Sequence, residues 1–251
     1  MPTDPLSAYD LDLDDPRLDA SYVRRVPSTA DGAEVVLVGV VHDHPSSVFR
    51  ARTIAAAVDP TFVGLELPPL TIPAFASYAS DEPVPPTRGG EFSAAIQATP
   101  DARHVGIDGP SLAFFRALVR TIRDQRPSSS AVRRVGRSVF SISRNALEHR
   151  IAAAITRHTP YAVHVDEPIP HECTVDDLPR RQAENEVTQV TRSYSLLRAA
   201  TPPEPIRLRD AAREAGMASR LQSLRREGSV VAIVGLDHLD SLFEHLAEQS
   251  A

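Results

Sequence analysis

Four short apolar runs, each followed by a polar residue, stand out along the chain. The run over 35–41 is rich in valine and apolar on both faces, which is typical of a buried central strand of a parallel sheet. Similar runs predict further strands over 61–67, 103–108 and 230–235. Pro68 and Pro69 end the second run, since proline has no N–H to donate to a neighbouring strand.

Segments with apolar residues at helical spacing lie between and after these runs. The sequence predicts a helix over 47–58, capped by Ser46 or Ser47, and further helices over 111–124, 209–225 and 239–248. A strand, a helix and a second strand joined by short connections form a right-handed unit with parallel strands. The expected fold class is α/β, with a single mostly parallel sheet flanked by helices.

The domain organisation follows from the same pattern. Residues 1–33 are rich in Asp, Pro and Ser and have no clear period, so we interpret them as an irregular leader, with order beginning at Val35. Residues 34–251 form a single domain, and the stretch over about 111–226 is a helical insertion within it.

Composition excludes several classes of protein. Of the 251 residues, 42% are hydrophobic, enough for a sizeable core, and the net charge of −6 argues against a nucleic-acid partner. No run approaches the roughly 20 apolar residues of a membrane span, and the acidic N-terminus is unlike a secretory signal, so a cytoplasmic location is expected. A single cysteine excludes an internal disulfide. All 27 basic residues are arginine, which fits either a GC-rich genome or a halophile.

Candidate chemistry lies where the predicted strands end. The chain has no nucleophile elbow, Walker A loop, dinucleotide fingerprint or zincin motif. Ligands of open parallel sheets bind beyond the carboxyl ends of the strands, and the residues found there are His42, Glu66, Asp108 and His238. Two histidines and one or two carboxylates can hold a divalent metal, or they can act as acid and base without one.

The candidates differ in the strength of their support. Both histidines end a Gly-x-x-His segment after an apolar strand, and Glu66 interrupts an apolar run where a carboxylate needs a partner or a function. Asp108 precedes Gly109 and fits a turn equally well, while His44 is a weaker candidate for a second metal ligand. A further group lies in a proline-rich stretch that we interpret as an exposed loop: His164, His171, Glu172 and Cys173.

These residues give the chain a resemblance to the TraB/PrgY family, which is related to the Tiki metalloproteases and more distantly to GumN, ChaN-like and erythromycin-esterase-like proteins. That family has a strand ending in Gly-Thr-x-His, a strand ending in Glu-Leu, a helix with an Arg-acid pair, and a closing Gly-x-x-His. The matching segments here are 38–42, 63–67, 213–218 and 233–238, and the resemblance spans about 35–245. Val40 replaces the usual threonine.

The resemblance implies a metal-dependent hydrolase, most directly a peptidase, acting on a peptide or small-molecule substrate. His42, Glu66 and His238 would hold Mn²⁺, Co²⁺ or Zn²⁺, or Glu66 would act as base on a metal-bound water. Arg213 would be a second catalytic residue that orients the substrate or stabilises an oxyanion. Two alternatives stay open, namely a peptide-binding regulatory protein without catalysis and a metal-free esterase-like hydrolase.

Overall fold

The computed structural model describes residues 4–81, 83–109, 112–137, 169–199 and 203–248. Its centre is a five-stranded sheet with the order β1-β2-β5-β3-β4. The strands are β1 (Val23–Val26), β2 (Val35–Val40), β3 (Phe62–Leu65), β4 (Arg103–Gly106) and β5 (Val230–Gly235). The pairs β2–β5, β5–β3 and β3–β4 are parallel, and the pair β1–β2 is antiparallel. The predicted mostly parallel sheet is therefore confirmed.

A strand from the C-terminal part of the chain, β5, lies between two strands from the N-terminal part in the middle of this sheet. Ile233 of β5 is in register with Val38 of β2 on one side and with Leu65 of β3 on the other. All three side chains are fully buried, as expected for strands covered on both faces. The carboxyl ends of β2, β3 and β5 consequently lie side by side at one edge, which is where the candidate histidines and Glu66 leave the sheet.

Helices cover both faces. The bounds are α1 (Pro45–Val58), α2 (Ile72–Ala79), α3 (Gly90–Ala98), α4 (Leu112–Gln125), α5 (129–137), α6 (Pro179–Ala199), α7 (Glu204–Leu224) and α8 (Leu236–Glu248). Alternate strand residues face opposite layers: Val38 packs in one core cluster with Ile54 of α1, while Leu37 packs in the other with Leu221 of α7. Residues 138–168 of the predicted helical insertion lie outside the described residues.

The structure corrects two expectations near the N-terminus. The prediction that order begins at Val35 is wrong, because β1 forms the antiparallel edge of the sheet, and Leu6 and Leu18 are buried in the core upstream of it. The cap of α1 is also earlier than predicted: the helix begins at Pro45, and the side chain of His44 accepts the hydrogen bond expected of a serine. In the described part of the chain, no helix combines the length and apolar character needed to cross a membrane.

Candidate active site

A cavity of about 350 Å³ opens at the carboxyl edge of the sheet. The end of β2, the residue after β3 and the start of α8 form its floor, Arg213 of α7 enters from one side, and α6 forms a wall. Its lining includes His42, Glu66, Gln189, Val190, Ser193, Tyr194, Arg213, Leu236, Asp237 and His238. The cavity thus lies where ligands of parallel α/β sheets bind.

Arg213 is the fixed cation of this site. Its Nη2 donates to Glu66 Oε1 (2.8 Å) and to Asp108 Oδ2 (2.7 Å), and its Nε donates to Asp108 as well (3.2 Å). Burial opposes the charged form, but the hydrogen bonds and charge of Asp108 outweigh it and raise the pKa of Arg213 above its usual value. Glu66 is itself held in place, since its Oε2 accepts the backbone N–H of Gly235 at 2.6 Å.

His42 is paired with a buried carboxylate on α3. Its Nδ1 donates to Glu91 Oε1 at 2.7 Å, and Glu91 Oε2 accepts the backbone N–H of Asp43 at 2.9 Å. Glu91 is 1% exposed, whereas the His42 side chain is 47% exposed. The hydrogen bond to Glu91, aided by the charge of that carboxylate, outweighs partial burial and raises the pKa of His42 to about 9. His42 therefore carries a proton at neutral pH.

His238 has an equivalent partner on α7. Its Nδ1 donates to Glu214 Oε1 (2.9 Å), and Glu214 Oε2 accepts the hydroxyl of Ser241 (2.7 Å). Burial alone would lower the pKa of His238, but the hydrogen bond to Glu214 and the charge of Glu66 produce a net rise. The ring's Nε2 faces the cavity, 3.4 Å from Arg213 Nη1 and 3.5 Å from Glu66 Oε1.

The two Gly-x-x-His segments thus form the same kind of histidine–glutamate pair. In each, Nδ1 of the histidine is held by a glutamate from a neighbouring helix and the ring lines one cavity. The absent side chain of Gly235 leaves the space beside Glu66 and His42 open. A Cβ there would lie 3.3 Å from Glu66 Oε2 and 3.8 Å from His42 Nε2.

The residues present do not fit the metal site that the resemblance implies. Among the described residues, no group of three or more His, Cys, Asp or Glu side chains is arranged to hold an ion. The Arg213 guanidinium occupies the side of Glu66 where a cation would bind, and Glu66 Oε2 already accepts a backbone hydrogen bond. A divalent ion beside it would meet a fixed positive charge, which opposes its binding.

Two weaker candidates take other roles. Asp108 lies behind Arg213 and holds it, while His44 is not a ligand but a fully buried helix cap. His44 Nδ1 accepts the N–H of Ser46 (3.2 Å), and its Nε2 donates to Asn185 Oδ1 (3.1 Å). Both nitrogens are therefore occupied away from the cavity, and burial lowers the pKa of His44.

The proline-rich stretch is only partly the exposed loop that we predicted. Cys173 is buried, and burial raises the pKa of its thiol, which opposes formation of a nucleophilic thiolate. His171 Nε2 donates to the backbone carbonyl of His42 at 2.9 Å, so this loop holds the backbone of His42 from outside the cavity. Glu172 is exposed as predicted, and His164 lies outside the described residues.

Sequence reasoning missed Glu91 and the α6 wall. Glu91 had a detectable signal, because it follows the glycine pair 89–90 and is a carboxylate at the start of an apolar helical run. Both glycines have positive φ, the conformation that lets the loop turn and deliver Glu91 to His42. The α6 residues carry no comparable signal, because only the tertiary fold places them opposite the strand ends.

A comparison of the chain with protein-family models, with curated proteins and with solved structures found no match. Two histidine–glutamate pairs and a fixed guanidinium surround one cavity, and this set can move protons at two points and stabilise negative charge between them.

Proposed function

We propose that this protein is a hydrolase that cleaves an ester or amide bond by acid–base catalysis without a metal. One observation carries the proposal: each of two histidines facing the same cavity has its Nδ1 held by a carboxylate, and Arg213 is fixed beside them. A carboxylate on Nδ1 orients the ring and stabilises its protonated form during proton transfer. His42, Arg213, Glu214 and His238 lie in the segments that carry the resemblance to TraB-type hydrolases, whereas Glu91 does not.

His238 is suited to the role of general base. Because its Nδ1–H is directed at Glu214, the neutral ring carries its lone pair at Nε2, which faces the cavity at 3.4 Å from Arg213 Nη1. It takes a proton from water as the water oxygen attacks the substrate carbonyl. The negative charge that develops on the carbonyl oxygen is stabilised by Arg213, whose position is fixed before the reaction begins.

His42 is suited to the role of general acid. Its raised pKa keeps it protonated at neutral pH, so it can give its Nε2 proton to the leaving oxygen or nitrogen as the carbonyl–heteroatom bond breaks. The products are a carboxylic acid and an alcohol or amine. His238 then returns its proton to solvent and His42 regains one, which restores the resting site.

Turnover of model substrates tests the proposal directly. The purified protein, dialysed against a chelator, is assayed with p-nitrophenyl esters and amino-acid p-nitroanilides alongside H42N and H238N. Each variant should lose at least about 100-fold in kcat, the usual contribution of a positioned acid or base. H245N is the matched control, since His245 is also on α8 but hydrogen-bonds the carbonyl of Ser241 and does not line the cavity.

The alternatives predict different results in the same assay. Activity that appears only after Mn²⁺, Co²⁺ or Zn²⁺ is added back would overturn the metal-free mechanism. No turnover of any ester or anilide would favour the peptide-binding alternative. An Arg213 variant is a poor probe of the chemistry, because it would leave the buried carboxylates of Glu66 and Asp108 without their counter-ion and endanger folding.

A further inference from the structure

The charges around the cavity are paired with one another, with one exception among the described residues. Arg213 is balanced by Glu66 and Asp108, and each histidine is matched to its own glutamate. The carboxylate of Asp237 also lines the cavity, but it has no hydrogen bond or ion pair with any described residue. The open mouth of the site therefore carries an uncompensated negative charge.

Asp237 and Tyr194 both line this cavity. Asp237 is the second residue of α8, and Tyr194 is 38% exposed on the wall formed by α6. Burial raises the pKa of Tyr194, and the charges of Asp237 and Asp240 raise it further, which places the phenol within the field of these carboxylates. A cavity lined by both a carboxylate and an aromatic ring is a favourable environment for an ammonium group, which gains from ion pairing and from the ring's electrons.

We propose that Asp237 is a specificity-determining residue that selects substrates with a positively charged amine next to the scissile carbonyl. This inference rests on the proposed hydrolytic function and names its substrate class. The cavity volume of about 350 Å³ is near the lower end of the roughly 300–1,000 Å³ typical of small-molecule sites. The favoured substrates are accordingly esters or amides the size of a single amino acid with a free amino group.

A structural role for Asp237 makes a different prediction. An acidic residue in the first turn of a helix stabilises the helix through its dipole. Loss of that effect would weaken the binding of charged and neutral substrates equally, because it would act through the position of α8. Charge selection instead changes the ratio of the affinities, or of the turnover rates, of two ligands that differ only in the amine. This ratio is therefore the quantity to measure.

The experiment compares wild type, D237N and D240N at pH 6.5, where an α-amine with a pKa of about 8 is protonated. D240N is the matched control, because Asp240 also lies on α8, is paired with Arg24 and does not line the cavity. Calorimetry measures binding of leucinamide and of 4-methylpentanamide, which lacks only the amine. Turnover is measured with the p-nitroanilides of the same two acyl groups.

Wild type and D240N should prefer the charged member of each pair by roughly fivefold, the upper range for a single exposed ion pair. In D237N the ratio should fall towards one. A wild type without preference, failure of both amides to bind, or a D237N protein that keeps the ratio would overturn this proposal. Selective binding of leucinamide without turnover would support the role of Asp237 in selecting the amine and would overturn the proposed hydrolytic function. The failure of one proposal is therefore distinguishable from the failure of the other.

Discussion

Three histidines near one another show how local environment sets chemical role. His42 is half exposed and paired with Glu91, which raises its pKa to about 9. His238 is 12% exposed and combines a glutamate partner with a neighbouring arginine. His44 is fully buried against an amide, and its pKa is lowered. Only the first two have a ring that lines the cavity and a carboxylate that stabilises their charge, so only these two are suited to proton transfer.

At this scale we predict that Glu91 controls the titration of His42. NMR of the imidazole resonances should give His42 an apparent pKa near 9 in wild type. In E91Q the carboxylate charge is lost, and the value should fall by more than one unit towards the roughly 6.5 of a free imidazole. His104 is the internal control: its pKa is lowered by burial, and its resonance should be unchanged by the substitution.

The same pair links stability to pH with a defined sign. Because the pKa of His42 is higher in the folded than in the unfolded protein, the stabilisation is fully present below about pH 6.5. It is lost as pH rises through about 9. The difference in unfolding free energy between wild type and E91Q should shrink across this window. An unchanged His42 titration in E91Q would contradict the pairing.

At the scale of elements, the buried strands β2 and β5 were predictable because each is a continuous apolar run. The strand β1 was not, since two exposed or half-exposed arginines, Arg24 and Arg25, break its apolar pattern. The candidate residues at the strand ends were predictable from topology alone. Their partners Glu91 and Glu214 sit on helices, and only packing determines which helix meets which strand end.

The wall formed by α6 is tied to the sheet by a buried ion pair. Arg50 of α1 is fully buried and forms a bidentate pair with Glu186 of α6, whose side chain is 1% exposed. Arg50 Nη1 also donates to the carbonyl of Gly39 at 3.0 Å, and Glu186 accepts the hydroxyl of Ser47 at 2.5 Å. This network joins α6 to the segment that ends in His42 and thereby sets the width of the cavity.

We predict that breaking this pair destabilises the protein strongly. E186L should cost about 3–5 kcal/mol, because it leaves the Arg50 charge buried without a counter-ion. Replacing both partners, as R50M/E186L, should recover part of the loss but not all, since the Gly39 carbonyl also loses its donor. Urea unfolding followed by circular dichroism measures the unfolding free energies of wild type, R50M, E186L and the double variant.

The control for this prediction lies on the same helix. Glu184 forms an exposed pair with Arg180, so E184L should change stability by about 0.5 kcal/mol or less. Additive effects of the two buried substitutions would mean that Arg50 and Glu186 do not interact, and would remove this explanation of how α6 is positioned.

For the whole molecule, the segment before β2 is part of the fold. Leu18 is 3% exposed and belongs to the same core cluster as Val38 and Ile54, and Arg50 Nε donates to the backbone carbonyl of Arg17. Composition predicted an irregular leader because this segment is rich in Asp and Pro. Those residues do form turns, but the turns deliver isolated leucines to the core, and isolated apolar positions leave no period in the sequence.

We therefore predict that single leucines of this segment differ sharply in their contribution to stability. L18A should cost about 2–4 kcal/mol, because it removes a buried side chain and leaves a cavity in the core. L13A is the matched control: Leu13 is 43% exposed, and its replacement should change stability by about 0.5 kcal/mol or less. Both values come from urea unfolding at one pH. If the segment were a leader separate from the domain, neither substitution would shift the unfolding midpoint. A large loss for L18A alone requires that Leu18 packs against the sheet, on the face that α1 also covers.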